Sequence, residues 1–189
     1  MNTSAALLAP EASTIASVEA AAEPFDPLQL RRALGSFGTG VTVVSTLAAD
    51  GRPVGVTANS FSSVSLDPPI VLWSLNRRSP SLAAFDECGR FVVNVLSLEQ
   101  LAVSRRFASS VPDKFDGIGH LRGVGGLPVI EDCAATFECA TVQRLPVGDH
   151  ILFLGRIERF AHSRDAGLLY CQGRYAQSVG LENPDATPR

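Results

Sequence analysis

The chain has 189 residues, 46% apolar and 19% charged, with a formal net charge of −3; that balance fits one globular domain with a real core. The slight negative charge offers no basic field for nucleic acid, and no apolar run is long enough to cross a bilayer.

Residues 1–24 are rich in Ala, Ser and Glu. They lack a basic start, and Glu11, Glu19 and Glu23 interrupt any apolar stretch, so they do not read as a secretory signal. They are expected to be a disordered tail before a domain at 25–180, with a second short tail at 181–189. The expected compartment is the cytoplasm.

Within the domain, Asp26-Pro27 reads as a helix start, with Leu28, Leu30, Ala33 and Leu34 as its apolar stripe and Gly35 as its stop. Val41 to Leu47 is rich in β-branched residues and reads as a strand; Asp50-Gly51 turns the chain, and Pro53 to Ser60 returns antiparallel. Asp67-Pro68-Pro69 breaks the chain before a buried strand from Ile70 to Leu75. Ser79 as N-cap and Pro80 in the first turn open a short helix ending near Gly89. Phe91 to Leu96 is a strand, and the capping box Ser97-Leu98-Glu99-Gln100 starts a helix reaching about Ala108. Gly117 to Pro128 reads as loop. Two long strands follow, Ala134 to Leu145 and His150 to His162, around the turn Pro146-Val147-Gly148-Asp149, and Leu168 to Cys171 closes the pattern.

Many strands with few short helices predict a mainly β fold, an antiparallel barrel with helices packed outside. No GxGxxG follows a first strand, so a nicotinamide would be bound without a Rossmann domain. Cys88, Cys133, Cys139 and Cys171 form no CxxC pair and have no zinc-like histidine spacing. They read as thiols in a reducing compartment, and no metal site is expected.

Four segments carry candidate chemistry. Thr57-Ala58-Asn59-Ser60-Phe61-Ser62-Ser63 offers small side chains and hydroxyls to a planar polar ligand, or is simply a Ser-rich strand end. Asn76-Arg77-Arg78-Ser79-Pro80-Ser81 sets two cations before a helix start, a seat for phosphate or a pair of solvated arginines. In Gly148-Asp149-His150 the histidine, the candidate catalytic residue, either orients a ligand or exchanges a proton, or sits exposed on a turn. Lys114 and Phe115, beside Asp113, either meet an anion and a ring or form a solvated turn. No GxSxG, Walker loop or HExxH is present.

In order along the chain, Phe37-Gly38-Thr39-Gly40-Val41-Thr42-Val43-Val44, Gly51 to Phe61, Ser63-Val64-Ser65-Leu66-Asp67-Pro68-Pro69, Phe91 to Leu96, Asp113-Lys114-Phe115, Gly126-Leu127-Pro128, Gly148-Asp149-His150 and Gly173-Arg174-Tyr175 resemble the short-chain flavin reductases. These are the reductase components of two-component flavin-dependent monooxygenases. The likeness runs from about Phe25 to Val179.

The resemblance implies an FMN-binding split β-barrel of Greek-key type, usually a homodimer with sites near the subunit interface. The implied activity is NAD(P)H-dependent reduction of FMN or FAD, delivered to a transient oxygenase partner, with no nucleic acid or membrane involved. On that likeness Thr39 and Thr57, Ala58, Asn59 and Ser60 line the isoalloxazine and ribityl. Asn76, Arg77, Arg78 and Ser79 approach the phosphate, and Phe107, Lys114 and Phe115 border the flavin tail or an adenine. His150 falls in the segment associated with nicotinamide, NADH or NADPH, and Tyr175 closes the site. Two other readings use the same barrel: a flavin-storing or sensing module without turnover, and a self-contained oxidase of the pyridoxamine-phosphate type.

Overall fold

The computed structural model describes residues 25–180; the tails expected at 1–24 and 181–189 lie outside the described residues. The first helix, α1 (Pro27–Gly35), starts where the sequence places it: Asp26 caps it, Oδ1 accepting the Leu28 N–H at 2.8 Å. Its apolar stripe, however, buries nothing, and Leu28, Leu30 and Leu34 all stay exposed.

Strands β1 (Thr39–Gly40), β2 (Thr42–Leu47), β3 (Pro53–Ala58), β4 (Ser62–Leu66) and β5 (Pro69–Asn76) follow. Next come α2 (Leu82–Cys88), β6 (Arg90–Val95), a 3₁₀ turn (Leu98–Gln100) and α3 (Leu101–Ala108). The chain closes with β7 (His120–Arg122), β8 (Pro128–Ile130), β9 (Ala135–Val147), β10 (His150–His162), β11 (Leu169–Cys171) and β12 (Arg174–Ala176).

The large antiparallel sheet has the order β3-β2-β6-β9-β10-β5-β4. It curls because the chain leaving one edge, β3, enters the other edge, β4, within a few residues. Ser60 pins that closure: its Oγ donates to Ser74 O at 3.2 Å and accepts from Ser74 N at 2.9 Å. The result is a split barrel around Trp73, which stacks on Phe153 with centroids 4.8 Å apart and meets Phe85 and Phe91 edge-on.

Strand β2 is buried on both faces, which explains its unbroken run of β-branched residues. Val44 points into the barrel, while Val41 and Val43 join a second cluster with Leu96, Phe107, Phe115, Ile130, Cys133 and Leu168 outside it. That cluster is roofed by α3 and the 109–133 segment. Buried Asn94 stitches the roof down, donating to Val43 O and Ser45 Oγ at 2.9 Å each and accepting from Ile130 N at 2.8 Å. Buried Glu138 holds the 3₁₀ turn Val124–Gly126 by accepting from Val124 N, and pairs with Arg159 on β10.

Several expected elements are corrected. The helix expected from Ser79-Pro80 begins at Leu82 with Ser81 as N-cap; Ser79 instead caps a preceding turn, its Oγ accepting from Ser81 N at 3.3 Å. The Gly117–Pro128 loop contains β7, which pairs with β8. The β9–β10 turn is tighter than Pro146–Asp149: Val147 pairs with His150, leaving only Gly148 (φ +57°) and Asp149 in the loop. Ser62–Leu66 and Arg174–Ala176, unassigned from the sequence, are strands. All four cysteines are free, with Cys133 and Cys139 buried.

Candidate functional site

A trench of about 850 Å³ runs beside the edge strand β3, from Thr57 to the Ala48–Arg52 hairpin end. One wall is Ser79–Ser81 and the exposed side of α2; the other is the end of α3 and the segment up to Lys114. Gly55 allows this arrangement. A Cβ at that position would stand 2.5 Å from the Phe107 ring, so only glycine lets α3 lie this close to β3. Phe107 and Phe115 pack edge to face at 4.8 Å and are buried. Phe107 contributes to the trench wall, whereas Phe115 supports it from beneath.

Lys114 is held in the wall by a 2.7 Å bond from Nζ to Phe107 O, near the C-terminus of α3. Arg106 fixes the same segment by donating to Lys114 O and Asp113 O, both at 2.8 Å. Desolvation lowers the Lys114 pKa below the ordinary lysine value of 10.5. Beyond that bond the Lys114 ammonium has two further donors, and Lys114, Ser79 and Ser81 all line the trench.

The Thr57–Ser60 segment is divided between tasks. Thr57 Oγ1 donates to Ser104 O at 2.7 Å, keeping its lone pairs at the trench end. Ala58 ends β3 and its carbonyl accepts from Thr42 Oγ1 at 2.7 Å. Ser60 closes the barrel, and Asn59 is exposed and lines a second cavity. That cavity, of about 690 Å³, lies under α1 and includes Thr39, Tyr170, Arg31 and Arg32. Tyr175 lines neither cavity; its hydroxyl is 2.9 Å from Ser104 Oγ.

At the other end of β5 two predicted segments meet. His150 stands opposite Asn76 in the β5–β10 register. Asn76 Nδ2 donates to Asp149 Oδ2 at 3.3 Å, and Arg77 N donates to Asp149 O at 2.9 Å. Asp149 Oδ1 is 2.7 Å from His150 Nδ1. A carboxylate only accepts, so Nδ1 carries the proton and Nε2 is left for another partner. His150 in turn holds the Asp149 carboxyl below the usual carboxylate range.

The helix start beside the expected phosphate seat lies two residues later than expected, with Ser81 at the N-cap and Leu82 as the first helical residue. Three backbone donors of the turn before α2 are engaged: Arg78 N with Asn76 Oδ1 and Ser79 N with Asn76 O, both at 2.9 Å, and Leu82 N with Ser79 O at 3.1 Å. Arg77 and Arg78 sit in a turn, and both are exposed. Beside the turn, Ala83 and Ala84 of the first turn of α2 line the trench.

The sequence reading missed Arg52 and Ser110 along the trench and Arg31 and Arg32 beside Thr39. Ser81, the last residue of the segment singled out in the sequence, does line the trench.

This architecture defines a class: antiparallel split barrels whose edge strand floors an elongated, cation-bearing trench. The family profile described as "Flavin reductase like domain" matches residues 34–178, and the chain belongs to that family. It is similar to "Probable flavin reductase" of Rhizobium meliloti, 46% identical over 154 residues that make up 82% of this chain and 50% of that one. The chain thus spans about half the length of that relative. It is also similar to "Flavin-dependent monooxygenase, reductase subunit HsaB" of Rhodococcus jostii, 40% identical over 88% of this chain and 84% of the relative. Among solved structures, the Streptomyces globisporus C-1027 NADH:FAD oxidoreductase SgcE6 in complex with NAD and FAD fragments matches with a TM-score of 0.76. The two are 37% identical over 88% of this chain and all (100%) of that one.

Proposed function

We propose that the protein is an NAD(P)H-dependent flavin reductase that supplies reduced FMN or FAD to a separate flavin-dependent monooxygenase. One observation carries the reading: the Asn76–Ser79 turn has a hydroxyl- and ammonium-lined trench on one side and a histidine with an available Nε2 on the other. Family membership and the names of the relatives support it.

The donor set suits a flavin. Ser79, Ser81 and Lys114 supply hydroxyls and a cation for a phosphate, and Val54 and Val56 give an apolar floor. Thr39 and the Thr57–Ser60 segment border the ring, and backbone N–H groups around Ala58–Ser60 stabilise charge at its N1–C2=O edge. Arg77 and Arg78 add positive charge beside the turn. When bound, the flavin supplies the acceptor for a hydride from the nicotinamide. The chain's own work is orientation and exclusion of water. His150 Nε2 accepts from the nicotinamide carboxamide or ribose while Asp149 holds the ring; no residue is asked to act as an obligatory acid or base.

The same reading includes a homodimer. Phe25, Leu34 and Phe37 are 76%, 67% and 79% exposed, and the cavity holding Thr39 and Asn59 opens beside them. A second copy that covers α1 completes the wall of that cavity. Light scattering at micromolar concentration should give twice the chain mass; a fully active monomer contradicts this part. The oxygenase encounter is transient, because reduced flavin diffuses between the proteins. Four free thiols suit a reducing cytoplasm, and among the described residues no helix is long and apolar enough to cross a membrane.

A steady-state assay that crosses FMN and FAD with NADH and NADPH tests the activity. Rapid nicotinamide oxidation that needs added flavin is expected. Oxidation of an organic substrate without a partner protein favours the oxidase reading instead.

A further inference from the structure

We infer that Ser104 is a positioning residue for the flavin ring: it fastens together the small sheet that carries Thr39 and the strand end that carries Thr57. This rests on the flavin-reductase reading and goes beyond it by assigning a role to a residue that lines neither cavity.

Ser104 is fully buried in α3 and bonds in two directions. Its carbonyl accepts from Thr57 Oγ1 at 2.7 Å, and its Oγ lies 2.9 Å from the Tyr175 hydroxyl. A serine inside a helix commonly turns its hydroxyl back on a carbonyl of the preceding turn. Here the partner comes from β12, 71 residues further along the chain. The hydroxyl pair therefore serves the join between elements rather than the helix itself.

On the β3 side the docking follows the two periodicities. Gly55 and Thr57 share one face of the strand, and Ser104 and Phe107 share one stripe of the helix. Gly55 meets Phe107, and Thr57 meets Ser104. Two contacts thus hold α3 on β3, and the second fixes the Thr57 hydroxyl.

On the other side, Tyr175 belongs to the sheet β1-β11-β12. Thr39 stands opposite Tyr170, and Tyr170 opposite Tyr175, in one row across its three strands. Thr39 Oγ1 donates to Tyr170 O at 3.5 Å, and the two tyrosine rings meet edge to face with centroids 5.4 Å apart. The Arg105 guanidinium carbon stands 5.9 Å from the centre of the Tyr175 ring. Both ring contacts orient the phenol toward Ser104. Contacts therefore run without a gap from Thr39 through Tyr170, Tyr175 and Ser104 to Thr57. Thr39 borders one cavity and Thr57 the other. Without the Ser104 joint these two ends move independently, and a small misplacement of reacting groups costs rate.

The test deletes the hydroxyl pair from each side. Ser104→Ala keeps the carbonyl that holds Thr57, and Tyr175→Phe keeps the ring that packs on Tyr170. Both single variants and the double variant are compared with wild-type full-length protein, well below their unfolding temperatures. Stopped flow follows reduction of saturating flavin by NADH, FMN and FAD in turn, with flavin KM and thermal unfolding measured in parallel. Each single variant should reduce flavin roughly two- to tenfold more slowly, the range of one hydrogen bond, with a smaller change in flavin KM. The double variant should be no slower than the slower single variant, because all three lose the same bond. Tyr175 is only half-buried, so Tyr175→Phe decides alone where Ser104→Ala does not fold. Unchanged reduction rates with a lowered unfolding temperature overturn the positioning role and leave Ser104 a core residue. Losses that multiply in the double variant overturn it as well, since they reveal two independent effects. A wild type that reduces neither flavin overturns the flavin-reductase reading itself.

Discussion

Asn76 and Asp149 are joined twice over: the Asn76 amide donates to Asp149 Oδ2 at 3.3 Å, and the residue after Asn76 donates its backbone N–H to Asp149 O. Asn76 Oδ1 meanwhile accepts from Arg78 N at 2.9 Å. One side chain therefore ties the arginine turn to the turn that presents His150. A hydrogen bond of this kind is worth about 0.5–1.5 kcal/mol. Asn76→Ala should accordingly raise the nicotinamide KM by roughly two- to tenfold. Asn76→Asp should be worse, because it sets a second carboxylate against Asp149. His150→Ala should raise the nicotinamide KM more than the flavin KM. Lost flavin binding with an unchanged nicotinamide KM reassigns both residues.

Lys114 predicts a pH dependence. Burial lowers its pKa below 10.5, so its ammonium loses its proton at a lower pH than an ordinary lysine. Attraction for a phosphate is complete below that lowered pKa and fades as pH rises through it. The ratio of FMN to riboflavin affinity should therefore decline on the alkaline side earlier than an unperturbed lysine would allow. Lys114→Met should give a low ratio that is flat with pH. The same shift penalises the charged lysine in the folded state, and that penalty is relieved as pH rises from the lowered pKa toward 10.5.

Gly55→Val should destabilise the fold by about 1–3 kcal/mol, because its side chain enters space held by the Phe107 ring. Thermal unfolding measures the loss. Combining it with Phe107→Leu should cost less than the sum of the two single changes, since the positions are in contact. Strict additivity contradicts the close approach of α3 to β3.

Thiol reactivity should split the cysteines in two. Burial is the main cause that pushes the Cys133 and Cys139 thiols up to about 12, which leaves almost no thiolate at neutral pH. Cys88 and Cys171 are half-buried. Native alkylation followed by peptide mapping should modify the latter pair first, and the former only on unfolding. Early modification of Cys139 contradicts the barrel core.

The central strands and the capped helices were legible because each carries a local physical signal. Asp26-Pro27 caps α1, and Ser97 with Gln100 forms a capping box. The run Val41 to Leu47 is β-branched because both faces of β2 are buried. Strand β4 was missed since its Ser-rich edge is largely exposed and does not alternate. Ser79-Pro80 misled because the pair fits a helix start, whereas Ser79 completes a turn and Ser81 stands at the N-cap position without a side-chain capping bond. The meeting of Asn76 with His150 could not be read locally: it depends on β5 pairing with β10 across more than seventy residues. The trench likewise depends on α3 docking over Gly55, a contact between segments that are far apart in sequence.

The most direct test of the central claim is anaerobic turnover. A limiting amount of stripped protein is mixed with excess flavin and NAD(P)H, and reduced flavin is counted per protein. The account predicts many equivalents of reduced flavin per chain, at a rate that rises with flavin concentration and then saturates. Reduction that stops at one equivalent, with the flavin retained through dialysis, contradicts it and identifies a flavin-holding protein instead.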